Sequence, residues 1–169
     1  CSSDLGRAER WLAHAERIGA ALEQHAWDGA WYRRATFDDG TWLGARESPE
    51  CQIDAIAQSW AVLSGAADPA RARMAMQSLE RHLVRYEEGL SLLFSPPFDT
   101  LTQDPGYIRG YPPGLRENGG QYTHAAVWAV LAFARLGETD KACRQFALLN
   151  PINHALNGSA MARYKVEPY

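Results

Sequence analysis

The chain lacks most features that mark membrane-spanning, disulfide-rich and nucleic-acid-binding proteins. None of its apolar runs approaches the roughly 20 residues that a membrane span needs. Its net charge of −3 provides no electrostatic basis for binding nucleic acid or an anionic membrane surface. The cysteines are odd in number, scattered and without metal-ligand spacing: Cys1, Cys51 and Cys143. They predict reduced thiols of an intracellular protein.

The chain also lacks the short motifs of common cofactor-dependent and nucleophilic enzymes. No phosphate-binding P-loop, dinucleotide fingerprint or zinc signature occurs. No serine lies in a nucleophile-elbow context, and the five histidines are not spaced as metal ligands. We therefore predict neither a metal site nor a bound cofactor.

Apolar residues do recur with the helical period, in five segments. The apolar content of 46% is that of a globular protein. The predicted helices run approximately over residues 7–25, 53–63, 69–83, 122–136 and 140–149. Asp68 and Pro69 supply an N-cap and a first-turn proline for the third helix, and Thr139 or Asp140 is expected to cap the fifth.

These apolar stripes predict the buried core. In the first helix the stripe comprises Trp11, Ala15, Ile18 and Leu22. The later stripes comprise Ile53, Ile56, Ala57, Trp60 and Leu63; then Ala72, Met76, Leu79 and Leu83; and finally Ala142, Phe146 and Leu149. Such stripes form core much more often than cofactor pockets.

Two segments of the chain resemble each other. Residues 60–63 and 128–131 both read Trp-Ala-Val-Leu, and each leads through a glycine and an aspartate into another helix. Repeated helical hairpins predict a solenoid or a closed ring. The long proline- and glycine-rich segment 84–120 argues against a simple solenoid. With a β-hairpin predicted around residues 38–40, we expect an all-α fold of helical hairpins with long loops, part of an (α/α)-barrel.

The loop from Tyr111 to His124 is the most informative stretch. It contains Arg116, Glu117, two adjacent glycines and His124, and it leads directly into an apolar helix. Glycines permit close backbone approach, so Glu117 and His124 could face one pocket, with Glu117 accepting bonds from sugar hydroxyls and His124 donating to an anionic oxygen. The same residues also fit a glycine turn that precedes a buried helix.

The sequence gives less support for a binding-cleft position to other polar residues. Asp54 and Gln58 share one face of the second helix; they could enter a cleft, although a polar helix face is the favoured interpretation. Arg33 and Arg34 point to opposite faces of one strand, so at most one reaches a cleft.

The loop motifs resemble those of a known family. The similar segments are Tyr111-Pro112-Pro113, residues 116–120, His124 and Trp128-Ala129. They resemble the glycoside phosphorylases of glycoside hydrolase family 94. Residues 27–34, 37–41, 53–60, 93–98 and 150–154 are most similar to the C-terminal phosphorylase-like domain of cyclic β-1,2-glucan synthases.

The resemblance implies an (α/α)6 barrel and inverting phosphorolysis of β-glucosidic bonds, such as those of a β-1,2-glucan, to glucose 1-phosphate. It implies substrate-binding roles for Tyr111, Arg116 and Glu117, and a phosphate-binding role for His124. Inorganic phosphate is then the co-substrate and a β-glucan oligosaccharide the partner. We expect a cytoplasmic location without membrane contact from this segment. The resemblance allows a homodimeric parent enzyme, and anchoring in the inner membrane through other segments.

The chain departs from the family pattern in one important respect. The family's general acid is an aspartate in a Trp-Asn-Asp context, which does not occur here, and a Thr-Gly pair that completes phosphate binding is also missing. We expect the acid upstream of Cys1 and the pair downstream of Tyr169. Residues 1–169 are therefore interpreted as a C-terminal-half segment of one catalytic domain, truncated at both ends and inactive alone.

Two alternatives remain open at this point. The parent could be an inverting hydrolase on an (α/α)-barrel, which would use water in place of phosphate. The segment could also be a non-catalytic helical-repeat module that binds a protein partner.

Overall fold

The computed structural model describes residues 2–100 and 103–165 and is mainly helical. Its α-helices are α1 Ser2–Ala21, α2 Ala55–Leu63, α3 Pro69–Leu83, α4 Thr123–Arg135, α5 Thr139–Leu149 and α6 Gly158–Tyr164. A π-helical turn, Leu22–Ala26, extends α1, and short 3₁₀ turns occupy Tyr107–Gly110 and Asn153–Ala155. This architecture confirms the predicted all-α class. None of the described helices is long and apolar enough to cross a membrane.

Short antiparallel strand pairs lie in the connections between helices. The strands are β1 Ala35–Thr36, β2 Trp42–Leu43, β3 Ile53–Asp54, β4 Val84–Arg85, β5 Leu90–Ser91 and β6 Phe94–Ser95. Strand β1 pairs with β2, β3 with β6, and β4 with β5. The β1–β2 pair is the predicted hairpin, and its turn is closed by Asp39, whose carboxylate accepts the Thr41 N–H at 2.9 Å.

Helix α3 supplies the centre of the core, as its sequence predicts. Ala72, Met76, Leu79 and Leu83 are all buried. Asp68 accepts N–H bonds from the first turn, Pro69 occupies the first helical position, and the predicted start is therefore confirmed.

The two repeated helices, α2 and α4, lie side by side against this core. Ala129 and Ala132 of α4 are fully buried, and Phe133 and Val62 complete the contact. Small alanine side chains let the two helices approach closely. This packing against α2 and the core fixes the position of α4, and the candidate loop ends at the start of that helix.

The stripe predicted as core on α1 is instead exposed. Trp11 is 64% exposed, and Ile18 and Leu22 are also largely accessible. Trp60 of α2, likewise predicted as core, is exposed as well. Periodicity identifies the apolar face of a helix but not the element that covers it, and no described segment covers this face of α1.

Helix α5 differs from its prediction in both its cap and its inward face. Its N-cap is Glu138, which makes no capping bond with its side chain, so neither Thr139 nor Asp140 is the cap. Phe146 is 59% exposed, whereas Gln145 is fully buried. The Gln145 Nε2 donates to Ser91 Oγ at 2.8 Å, and this bond favours the observed rotation of α5. Its Oε1 accepts no hydrogen bond from any described residue.

The cysteines of the described residues are unpaired. Cys51 is buried and Cys143 is exposed, and neither forms a disulfide. Cys1 lies outside the described residues.

Candidate functional site

The loop between Tyr111 and His124 folds back on itself through main-chain hydrogen bonds. The Gly114 N–H donates to the Asn118 carbonyl at 2.8 Å, and the Gly120 N–H donates to the Arg116 carbonyl at 3.1 Å. The Gly120 carbonyl accepts the Leu93 N–H at 2.8 Å. The loop is thereby closed and tied to the segment beside β6.

The adjacent glycines leave no room for side chains at the base of the loop. A Cβ on Gly120 would lie 2.8 Å from the Arg116 nitrogen and 2.9 Å from the Arg116 and Gly114 carbonyl oxygens. Gly119 has φ of +77°, and a Cβ there would lie 3.1 Å from the Phe94 carbonyl oxygen. The Gly-Gly pair therefore serves close backbone packing, as the glycine-turn interpretation proposes.

Asn118 connects the start of this loop, at Tyr111, with a second segment of the chain, at Phe98. Its side chain is fully buried. Oδ1 accepts the Phe98 N–H at 2.8 Å, while Nδ2 donates to the Phe98 and Tyr111 carbonyls, each at 2.8 Å. One carboxamide thus joins three segments of main chain.

Tyr111, Arg116 and Glu117 come together at the surface of this loop. The Arg116 guanidinium lies 5.0 Å from the centroid of the Tyr111 ring, and its Nε lies 3.5 Å from Glu117 Oε2. The Glu117 side chain is only 17% exposed, and its Oε2 accepts no hydrogen bond from any described residue. A buried carboxylate oxygen without a donor has unused capacity to accept a bond from a ligand hydroxyl.

Arg116 adopts an unusual backbone conformation. Its φ is +51°, in the left-handed region that residues with side chains seldom occupy. This conformation leaves the side chain 63% exposed beside Tyr111 and Glu117. Such local backbone strain occurs preferentially at functional positions.

His124 lies in the first turn of α4 with aromatic neighbours of its own. Its ring centroid is 4.6 Å from that of Trp128 and 6.2 Å from that of Tyr122. Trp128 in turn packs edge-on against Trp60. The Tyr122 N-cap makes no capping bond with its side chain, so the exposed His124 stands beside helix N–H groups that have no side-chain acceptor.

Asp54 and Gln58 are buried, which corrects the favoured interpretation of a polar helix face. Asp54 accepts N–H bonds from Ile56 at 2.7 Å and Ala57 at 3.3 Å, and it pairs with Arg34. Burial raises the pKa of Asp54, and the Arg34 charge opposes that rise. Asp54 therefore serves as the N-cap of α2.

Gln58 makes a comparable structural connection. It accepts the Tyr32 N–H at 2.8 Å and donates to the Tyr32 and Asp54 carbonyls at 2.9 and 3.0 Å. Arg33 bonds Asp28 at 2.7 Å. Arg33 and Arg34 precede β1, outside any strand, and both form ion pairs with buried aspartates.

A carboxylate at the end of α1 has a similar structural role. Glu23 accepts bonds from the Tyr32 hydroxyl, from the Asp68 N–H at 2.8 Å and from Arg71 at 2.6 Å. Burial opposes its ionisation, but these three donors outweigh burial and lower the pKa of Glu23. Glu23 also lines a cavity of about 230 Å³ to which no residue of the 111–124 loop contributes.

Comparison with known proteins places the whole chain in one family. Residues 2–169 match the catalytic domain of the glycosyl hydrolase 94 superfamily. The chain belongs to this family. The match includes the entire candidate loop and confirms the resemblance on which its interpretation depends.

Curated relatives of this family 94 chain fall into two groups. It is 52% identical over 166 residues to the cyclic beta-(1,2)-glucan synthase NdvB of Rhizobium meliloti (strain 1021), covering 98% of this chain and 6% of that protein. It is 34% identical over 152 residues to the N,N'-diacetylchitobiose phosphorylase of Vibrio furnissii, covering 89% and 19%. It is 32% identical over 142 residues to a cellobionic acid phosphorylase of Neurospora crassa, covering 84% and 17%. The chain thus spans less than a fifth of the length of these relatives.

Sequence reasoning overlooked the polar residues that hold the family 94 loop in place. Asn118 is one, and Gln121 is another, because its Oε1 accepts the Ser91 N–H at 2.8 Å. The position of Asn118 between a carboxylate and two glycines was a usable signal, since asparagine commonly bonds nearby backbone. Phe98 lies 20 residues from Asn118, and Ser91 lies 30 residues from Gln121, so no local pattern predicts these two contacts.

Proposed function

We propose that this chain forms one wall of the catalytic cleft of a glycoside phosphorylase-type enzyme. The enzyme transfers a glucosyl unit from a β-glucan, such as a β-1,2-glucan, to inorganic phosphate and releases glucose 1-phosphate with inversion. Glu117 binds sugar hydroxyls, Tyr111 and Arg116 line the sugar-binding cleft, and His124 binds phosphate. The similarity to a cyclic glucan synthase makes such a synthase the proposed parent.

The observation that carries this proposal is the state of Glu117. Its largely buried carboxylate has an oxygen without a hydrogen-bond donor among the described residues, beside an exposed arginine and a tyrosine ring. A sugar supplies hydroxyl donors to such an oxygen, and its ring can pack on an aromatic face. Arg116 can also donate to a ligand oxygen, because its side chain is 63% exposed.

The proposed role of His124 follows from its position at the start of α4. Its ring is oriented by Trp128, and the adjacent helix end has no side-chain cap. A phosphate there would accept bonds from the imidazole and from helix N–H groups. Phosphate is itself an anionic nucleophile, so this chemistry needs a positioning pocket and does not need the base that an inverting hydrolase uses on water.

The test is steady-state kinetics on the full-length enzyme with β-1,2-gluco-oligosaccharides and inorganic phosphate. Loss of a charged hydrogen bond in Glu117→Gln should raise the sugar KM by about tenfold or more, whereas Glu87→Gln, at an exposed turn, should change nothing. His124→Ala should raise the phosphate KM far more than the sugar KM, with the exposed His14→Ala as its control. Sugar release that is independent of phosphate would assign a hydrolase instead, and unchanged constants in both site variants would reject this cleft.

The isolated 169-residue chain is expected to release no glucose 1-phosphate. It contains no Trp-Asn-Asp motif to supply the proton that the leaving oxygen requires. Measurable release from the purified chain, at a rate that persists through repeated chromatography, would contradict this assignment of the general acid to another part of the protein.

A further inference from the structure

We propose that Asn118 is a positioning residue of the sugar-binding site, which holds Tyr111 and Glu117 in a fixed relative arrangement. This inference rests on the proposed function. Asn118 does not contact the sugar in this proposal. It acts by fixing the main chain from which the two sugar-binding side chains project.

The arrangement depends on contacts from two directions. On one side the Asn118 amide donates to the Tyr111 carbonyl, and on the other Asn118 directly follows Glu117 in the chain. Arg116 lies between the two side chains, 5.0 Å from the Tyr111 ring centroid and 3.5 Å, through Nε, from Glu117 Oε2. Loss of the hydrogen bond from Asn118 to the Tyr111 carbonyl would therefore change the distances between the Tyr111, Arg116 and Glu117 side chains.

The chemistry of the Asn118 pocket requires a carboxamide. Its oxygen faces one N–H donor, and its nitrogen faces two carbonyl oxygens at 2.8 Å. An aspartate of the same shape would retain the acceptor but place a carboxylate oxygen against the Phe98 and Tyr111 carbonyls. Repulsion there would release the Tyr111 segment, because a buried carboxylate oxygen that faces only acceptors is strongly unfavourable.

The chain offers a matched control in Gln58. It too is a fully buried amide that accepts one backbone N–H and donates to two backbone carbonyls. Its partners are Tyr32 and Asp54, which lie outside the candidate loop. Gln58→Glu thus reproduces the chemical damage of Asn118→Asp at a place that holds no proposed sugar contact.

The experiment compares Asn118→Asp and Gln58→Glu in the full-length enzyme, with separate KM values for oligosaccharide and phosphate and a thermal melt of each variant. We expect both variants to have a lower melting temperature than the wild type. We also expect the sugar KM to rise about tenfold in Asn118→Asp alone, equivalent to the loss of about one hydrogen bond, while the phosphate KM stays within about twofold.

Several outcomes would overturn the inference. One is an unchanged sugar KM in Asn118→Asp, and another is an equal rise of the sugar KM in Gln58→Glu. If the charged variant does not fold, the neutral Asn118→Ser replaces it under the same criteria. Glu117→Gln separates this inference from the proposed function. An unchanged sugar KM in Glu117→Gln would reject the sugar site itself. A raised sugar KM in Glu117→Gln together with an unchanged sugar KM in the Asn118 variant would reject only the positioning role.

Discussion

Trp60 and Trp128 meet edge-to-face, with ring centroids 5.3 Å apart and planes inclined by 77°. They occupy the same place in the two Trp-Ala-Val-Leu segments, so the internal repeat becomes a direct contact between α2 and α4. Trp128 also packs on His124, at 4.6 Å between ring centroids. The helix pair is thereby connected to the candidate phosphate site.

Replacing Trp128 with leucine should weaken phosphate binding. The His124 ring would lose its aromatic neighbour, and aromatic pairs contribute about 0.5–1.5 kcal/mol, so we expect the phosphate KM to rise by about two- to tenfold. Trp60→Leu is the matched control, because it removes the same tryptophan pair without touching His124. Equal phosphate KM values in the two variants would show that Trp128 does not support His124.

Gly120→Ala should destabilise the protein. The added methyl group would lie under 3.0 Å from three backbone atoms, and overpacking of this kind costs about 1–3 kcal/mol. Gly110→Ala is the control, since nothing lies within 4 Å of the Cβ that it would add. Thermal unfolding of the full-length protein measures both, and equal melting temperatures would contradict the packing described for the loop.

The hydrogen bonds that Glu23 accepts should make the stability of the protein depend on pH in the acid range. The pKa of Glu23 is lower in the folded protein than in the unfolded chain, so its contribution is present above the unfolded pKa of about 4.5 and is lost as pH falls through the folded pKa. The melting temperatures of the wild type and Glu23→Gln should therefore differ at pH 7 and converge in strong acid. A difference that is constant with pH would assign the stability to packing alone.

Removing Arg34 should destabilise the protein more at neutral than at acid pH. Arg34→Met leaves the buried Asp54 carboxylate without its cation, a change that costs about 3–5 kcal/mol for fully buried pairs and less here because Arg34 is partly exposed. Burial raises the Asp54 pKa, so protonation in acid relieves the cost. Thermal unfolding of Arg34→Met and of the Arg34→Met/Asp54→Asn double variant at several pH values measures the loss of stability. The double variant should be the more stable of the two at pH 7. A double variant no more stable than Arg34→Met would exclude a stranded charge as the cause.

Local patterns were sufficient for the elements whose partners lie nearby in the chain. The Asp68-Pro69 start of α3, its stripe from Ala72 to Leu83 and the turn at Asp39 all follow from spacing and capping chemistry. The family was also identifiable from the sequence, because the loop and its flanking segments carry their motifs in order. The helix start and the turn depend on interactions between residues a few positions apart. The family is recognised from the residue types in its motifs.

The tertiary structure decided which apolar and polar residues are inside. It left Trp11 and Phe146 exposed and buried Asp54, Gln58 and Asn118. A periodic pattern specifies a helix face but contains no information on which distant segment covers it. A buried amide needs hydrogen-bond partners, and Gln58 and Asn118 find backbone partners 26 and 20 residues away. The sequence by itself therefore determined the helices, the family and the candidate loop, whereas the fold decided how that loop is held.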